Sequence, residues 1–484
     1  MVQFIPAGNG RTHIVHNNDL DTLERGILER VIGRKVDNEL LPPMEPLIDV
    51  MSAGRKFREK CCKRISRLTP WTHQQVVDAM GQKRKTYQHH LDNLKLRDLT
   101  RSDAKQTMFT KAEPLDLKFK VVEDLKPRII RTRTVEFHIS LGAYIKSCEK
   151  KIYGAINHVC GGITVTKGLN AEETAEAIVA AFNSFNNPVC IVLDASHADQ
   201  SFRQRARAYV TSWYQKCFGS DPELMRLEQW RAEEQTIYAN TEEGRLKAKG
   251  MFGMASGDKD TSLAMCIMIV MMAWTLLQDN NIRGRIIDNG DDHILFCDRA
   301  DLETIVTQVT GHYRNFGFKL KCGEPVFEIQ KIEFCQSYPC FDGDKWIMMR
   351  DPRKSISKDL ISLKRIESQK DFDYYRKAKS DCGLAMAGDL PIFGSFYRML
   401  GRGTAVKVTP DLLPTSGMEF MARGLSRGAR PVTTESRVSF YKTFDVTPGE
   451  QIAIEDYYDS ITPNYLKPTS VESFNFNTSI NTLL

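Results

Sequence analysis

The chain has 484 residues, too many for one ordinary compact core, and at roughly 150 residues per unit it predicts about three lobes. A composition of 42% hydrophobic and 26% charged residues is globular and excludes a chain that is mainly disordered or fibrous. With 67 Lys plus Arg against 61 Asp plus Glu the net charge is only +6, so nucleic-acid binding must rest on where the cations lie.

The twelve cysteines include the adjacent pair Cys61 and Cys62 but no CxxC, and no Cys/His group has zinc-finger spacing. This predicts neither disulfides nor structural zinc, and a reducing compartment. No apolar signal core follows Met1, and no repeat or low-complexity linker interrupts the chain. A GxxxxGK[ST] loop and a methyltransferase motif are also missing from the sequence, so unwinding and capping are expected to be absent or supplied by other chains.

Cations cluster at Gly54–Arg67, Gln82–Lys85, Lys118–Arg133 and Arg203–Arg207, while carboxylates concentrate elsewhere. A basic channel around an acidic centre fits that distribution, although each run also reads as a solvated face. Within Lys126-Pro127-Arg128-Ile129-Ile130-Arg131-Thr132-Arg133, Pro127 opposes a helix. In an extended chain Lys126 and Arg128 share one face and Arg131 and Arg133 the other, so all four meet one triphosphate only if the backbone kinks near Ile129 or Ile130.

Leu169–Phe185 is predicted helical, ending before Asn186, Asn187 and Pro188. Val189–Leu193 follows as a buried central strand stopped by Asp194. Asp199 lies five residues on, after a turn that brings a second carboxylate towards a ribose 2′-hydroxyl, and His197 between them reads as solvent-facing.

Ser256-Gly257-Asp258 and Thr261-Ser262 form a small hydroxyl-bearing loop, and Gly257 lets it approach a template backbone or a sugar closely. The plainer reading is an N-cap, by Asp260 or Thr261, on the apolar helix that follows. Ser262–Leu277 carries no charge, yet its sixteen residues fall short of the roughly 20 that cross a bilayer, which predicts a buried core helix. Arg285–Ile287 and His293–Cys297 then flank Asp288-Asn289-Gly290-Asp291-Asp292, where Asn-Gly signals a hairpin with two acids at its tip.

Transfer of nucleotides needs two divalent cations about 3.5–4 Å apart, held by hard carboxylate oxygens. Asp194 at one strand end and the pair Asp291/Asp292 on a neighbouring hairpin supply such ligands if the two segments lie side by side. An Asp-Asp dipeptide alone is more often a solvated turn; the ordered company of Asp199, the Ser256 loop and the basic segment changes that reading.

In this order the motifs resemble those of the RNA-dependent RNA polymerases of plus-strand RNA viruses, most closely the tombusvirus and carmovirus group. Lys126–Arg133 is similar to motif F, Asp194–Asp199 to motif A, Ser256–Met265 to motif B and Gly290–Asp292 to motif C. The likeness covers most of the chain. It includes His16-Asn17-Asn18, Leu23-Glu24-Arg25-Gly26, Glu29-Arg30-Val31, Gly81–Tyr87, Phe109–Glu113 and, in the last lobe, Phe444–Gln451.

The resemblance implies an α+β right-hand fold with an antiparallel palm sheet and a largely helical thumb. Residues 1–187 would form N-terminal fingers, 188–203 the palm segment of motif A, 204–250 a fingers insertion, 251–349 the palm with motifs B to E, and 350–484 the thumb. It implies that Asp194, Asp291 and Asp292 hold Mg²⁺, with Mn²⁺ as substitute, and that Asp199 helps select ribonucleotides. Lys126, Arg128, Arg131 and Arg133 would grip the incoming triphosphate, with Ser256, Gly257 and Thr261 at the nucleotide; Arg131 stands where many relatives carry a neutral residue.

In Gly317-Phe318-Lys319-Leu320-Lys321, similar to motif D, Lys321 is the candidate for protonating pyrophosphate, with Lys319 second. Ile332-Glu333-Phe334-Cys335-Gln336 is similar to motif E, which supports the nascent strand. One departure stands out: Met265 occupies the place of the usual motif B Asn, leaving Asp258, Asp260 and Ser262 as polar substitutes.

The implied activity is template-directed, two-metal nucleotidyl transfer that replicates a plus-strand genome and starts without a primer. The implied partners are RNA template and product, nucleoside triphosphates, and replication factors that supply membrane attachment in the host cytoplasm. A reverse transcriptase is the nearest rival, but it usually places an aromatic gate where Asp199 stands. An RNA-binding replication or coat protein is the non-enzymatic rival and does not require the acidic and basic motifs to occur in this order.

Overall fold

The computed structural model describes residues 2–3, 13–36, 39–116, 125–363, 366–408, 418–428 and 430–465. The first part of the basic run Lys118–Arg133, the residues 118–124, and the last 19 residues of the expected thumb lie outside these. Elements used below are α1 (Leu20–Ile27), β1 (Gln106–Thr110), β2 (Ile129–Thr132), α2 (Val135–Val159), α3 (Ala171–Phe182) and β3 (Pro188–Ser196). After them come α4 (Gln204–Phe218), α5 (Pro222–Ala232), β4 (Gln235–Asn240), β5 (Arg245–Gly250), α6 (Thr261–Asp279), β6 (Gly284–Asn289), β7 (Asp292–Asp298), α7 (Leu302–Asn315) and β8 (Lys319–Val326).

The expected central strand is β3, and it lies inside a four-stranded antiparallel sheet of order β6-β7-β3-β8. Its unbroken apolar run has a geometric cause, since successive strand side chains point to opposite faces and both faces are covered. Val189, Ile191 and Leu193 enter one core with α2, α4, α6 and α7, whereas Cys190 enters a second core with α3 and the C-terminal helices. The same alternation places Ile294 and Phe296 of β7 in that second core.

A second four-stranded sheet, β5-β4-β1-β2, contains the basic segment as its edge strand β2. Its β1–β4 pair is parallel and the others antiparallel. From residue 350 onward the described chain is mainly helical, with Gln369–Ala387, Phe393–Gly401, Thr434–Phe444 and Pro448–Ser460 as its longest elements. The coarse α+β class is therefore as expected.

Two boundaries differ from the sequence reading for identifiable reasons. Helix α3 is shorter than Leu169–Phe185 because Asn170 starts it with a capping box, its side chain accepting from Glu173 N while Glu173 accepts from Asn170 N. The apolar helix α6 runs a little longer than Ser262–Leu277, and its residues from Leu263 to Leu277 are all buried. It is long and apolar enough to cross a membrane, but this burial is that of a core helix.

Candidate active site

The acids meet because of strand register. Asp292, first residue of β7, is the direct partner of Asp194 on β3, and Lys321 on β8 is the partner of Asp194 from the other side. Directly opposite residues of an antiparallel pair project from the same face, so Asp292, Asp194 and Lys321 form a row across three strand ends. Asp291 sits one residue earlier in the β6–β7 turn, whose carbonyl accepts from Ala195 N at 3.4 Å.

That turn is one residue later than Asn-Gly predicts. Asn289 still pairs with Asp292, so the two-residue loop is Gly290-Asp291, and Gly290 takes φ +91°. Positive φ at the first loop position, held by glycine, and none at Asp291 suits a II′-type hairpin.

Asp291 and Asp292 open into a cavity of about 850 Å³. Its walls include Arg128, His197, Asp199, Ser256, Thr261 and Met265, so the segments similar to motifs F, A, B and C converge on one space. Partial loss of hydration raises the Asp292 carboxyl above its ordinary value, and repulsion from Asp291 and Asp194 adds to the shift. The Asp194 carboxylate accepts from Ser196 Oγ at 3.1 Å.

Carboxylate oxygens at adjoining strand ends are the right donors for a hard divalent cation, and the mutual repulsion felt by Asp292 is what such a cation would relieve. Among the described residues no three His, Cys, Asp or Glu side chains are gathered tightly enough to chelate an ion as they stand. The backbone thus brings the three acids together without the side chains closing into a ligand cage.

The cations divide differently from the sequence expectation. Arg128 is half exposed and pairs with Glu113 at 3.3 Å, which leaves it at the cavity wall. Lys126 lies close enough for its charge to depress the His197 imidazole, although burial contributes most to that shift. By contrast, the guanidiniums of Arg131 on β2 and of Arg133 just after it turn inward and are buried.

Arg131 donates to the carbonyls of Gly253 and Met254 and to Gln106 Oε1. Arg133 is bound to Asp258 at 2.8 Å, to Gln235 at 2.9 Å and to the Ala104 carbonyl. In this conformation neither guanidinium is presented to a triphosphate; both tie β2 to the loop before α6.

That loop uses its polar groups internally as well. Ser256 Oγ donates to Ile129 O and accepts from Arg131 N, and Gly257 N donates to Arg131 O at 2.8 Å. A Cβ on Gly257 would stand 2.6 Å from that same carbonyl, so the close approach this glycine permits is to β2. Thr261 Oγ1 donates to the carbonyls of Ala255 and Asp258.

Asp260 precedes α6 but makes no side-chain cap, contrary to the N-cap reading. Its carboxylate binds Arg207 at 3.1 Å, Arg231 and Tyr214 Oη at 3.0 Å, while Asp258 binds Arg133 and Arg231. Glu228 completes the network by pairing with Arg231 at 2.6 Å. Arginines hold the Asp258 carboxyl well below its usual range against the opposing cost of burial. Asp258 and Asp260 are therefore unavailable as substitutes for the missing motif B Asn, and Met265 lies 3.7 Å from the position of a Gly290 Cβ.

His197 is half-buried in the cavity wall at φ +55°, not solvent-facing; it starts the short turn that presents Asp199. The Asp199 carbonyl accepts from Met254 N at 2.8 Å, with Gly253 so close that a Cβ there would stand 2.3 Å from it. Sequence reasoning did not single out Arg30, Lys111, Lys167 or Gln336 as cavity residues. Arg30 stands on a π-helical turn, Leu28–Ile32, directly after α1. Such turns often mark functional sites but leave no simple sequence signal.

Comparison with known proteins shows the family. The sequence profile of the family described as viral RNA dependent RNA polymerase matches residues 1–465. The chain is 33% identical over 453 residues to the RNA-directed RNA polymerase of Tobacco necrosis virus (strain A), covering 92% of this chain and 62% of that protein. Its identity to the RNA-directed RNA polymerase of Carnation mottle virus is 34%, covering 94% of this chain and 59% of the relative. For that of Turnip crinkle virus it is 32%, with the same two coverages. The chain spans about three-fifths of the length of these relatives, and over that span it belongs to the viral RNA-dependent RNA polymerase family.

Proposed function

We propose that this chain catalyses template-directed transfer of ribonucleotides to a growing RNA strand, releasing pyrophosphate, in replication of a plus-strand viral genome. The observation that carries the proposal is the register that sets Asp194 opposite Asp292, with Asp291 in the adjoining turn and a cation-lined cavity at Asp291 and Asp292. Bound Mg²⁺ or Mn²⁺ would supply activation of the 3′-hydroxyl and neutralisation of the leaving group, held by Asp194, Asp291 and Asp292.

The protein's own groups account for binding and orientation. Arg128 and Lys126 meet the triphosphate from the β2 side, and Asp199 accepts from the ribose 2′-hydroxyl. Lys321 gives a proton to the departing pyrophosphate, a role its register beside Asp194 supports. The right-hand division follows the same reading, with fingers in residues 1–187 and 204–250, palm in 188–203 and 251–349, and thumb from 350. Initiation without a primer, and membrane attachment in the host cytoplasm through replication factors, complete the proposal.

The test is incorporation of each of the four ribonucleotides and deoxyribonucleotides on short RNAs of defined sequence with Mg²⁺ or Mn²⁺. Complementary ribonucleotide incorporation is expected. Preference for deoxynucleotides would favour the reverse transcriptase reading, and RNA binding with no incorporation would favour a binding protein.

A further inference from the structure

The segment Thr164–Lys167, between α2 and α3, is bound to the strand that leads into the acidic turn. Val165 forms a parallel bridge with Asp288 of β6. Asp288 N donates to Thr164 O at 2.7 Å, and the Asp288 carbonyl accepts from Thr166 N at 2.9 Å and Thr166 Oγ1 at 3.1 Å. From the other side Asn157 Oδ1 accepts from the backbone N–H groups of Thr164 and Val165. Thr164 and Thr166 are buried, so the following residue leaves a fixed base.

Lys167 lines the cavity, and its Nζ lies 3.9 Å from the position a Cβ on Gly290 would occupy. Its ammonium makes no ion pair or hydrogen bond among the described residues. Its charge acts on Asp292, Asp288 and Cys335, whereas Arg30 acts on Asp199 and His197, and Lys126 on His197. Lys111, Arg131 and Lys259 also line the cavity, but of its cations Lys167 is the one set against the Gly290-Asp291 turn, apart from Arg30 beside Asp199.

Nucleotidyl transfer brings two polyanions to the same carboxylates, the incoming triphosphate and the strand that ends in the 3′-hydroxyl. The Arg30, Lys126 and Arg128 group suits the first. We propose that Lys167 holds a backbone phosphate at the 3′ end of the growing strand; this rests on the polymerase reading above and deepens it.

A neighbouring turn supports the assignment. Cys335 and Gln336 adopt φ +51° and +59° in succession, closed by hydrogen bonds between Phe334 and Ser337 of 2.9 and 3.0 Å. Left-handed backbone at a non-glycine residue costs on the order of 1–3 kcal/mol, and such strain concentrates at functional sites. Gln336 lines the same cavity and offers an amide to the same strand.

The test uses the full chain with a preannealed RNA primer and template. For Lys167→Met the dissociation constant and the KM for primed RNA should rise about five- to tenfold, as for loss of one phosphate contact. The slope of log affinity against log salt should fall by about 0.7–0.9, and the nucleotide KM should change less than twofold. Lys167→Arg should restore affinity and slope. Lys167→Gln serves as the second neutral variant should Met disturb folding, judged by the thermal midpoint.

A raised nucleotide KM with unchanged primed-RNA affinity, or no change in either, overturns the assignment. Failure of the wild type to incorporate nucleotides would count against the polymerase reading, while the salt-dependent affinity would still decide whether Lys167 contacts RNA.

Discussion

Replacing Arg231 by Met tests whether the loop before α6 is held by buried charge. The Arg231 side chain is fully buried and faces three acids, with Glu228 at 2.6 Å, Asp258 at 3.3 Å and Asp260 in direct contact. Without it those three carboxylates share only Arg133 and Arg207, so charge remains buried and unpaired. Removing one partner of such a network costs about 3–5 kcal/mol. Urea unfolding followed by tryptophan fluorescence reads the change, because Trp213 is on α4 and Trp230 on α5, the helices that supply Arg207 and Arg231. The double variant Arg231→Met/Asp260→Asn should lose at least about 1 kcal/mol less than the sum of the two single changes, since each relieves a charge the other strands. A loss under about 1 kcal/mol for Arg231→Met, or additivity within about 0.5 kcal/mol, would refute the reasoning.

Gly257→Ala should cost about 1–3 kcal/mol and slow incorporation, because the added Cβ meets Arg131 O at 2.6 Å; unchanged unfolding midpoint and rate would contradict the close approach. Asp288 is fully buried with neither carboxylate oxygen well hydrogen-bonded, and burial, aided by repulsion from Asp291, pushes its carboxyl up to about 7. A raised carboxyl favours folding fully below its unfolded value near 4, and that contribution drains as pH rises towards 7. In metal-free buffer the urea midpoint of the wild type should therefore fall relative to Asp288→Asn between pH 4.5 and 7.5; parallel profiles would refute the shift.

The acidic centre was legible because its signals are local. An apolar run that stops at Asp194, and a Gly-containing turn beside two acids, need only strand periodicity and turn chemistry to be read. The offset of that turn by one residue depends on how far β6 pairs with β7, which the Asn-Gly dipeptide does not encode. The fates of Arg131 and Arg133 were not legible, since Asp258 is 125 residues from Arg133 and only the fold makes them partners. A count of cations in an extended segment cannot separate a buried guanidinium from one facing a cavity. Lys167 follows a short β-branched run and belongs to no recognisable motif, so its importance emerges only from the bridge between Val165 and Asp288.

The most direct test compares single-turnover incorporation on one RNA template by the wild type, Asp194→Asn, Asp291→Asn and Asp292→Asn, with RNA affinity measured alongside. Removing a metal-holding carboxylate should lower the rate by at least about 10³-fold, or roughly 4 kcal/mol in the barrier, with RNA affinity changed less than about threefold. Rates near that of the wild type in all three variants would contradict an acidic centre built for nucleotide transfer.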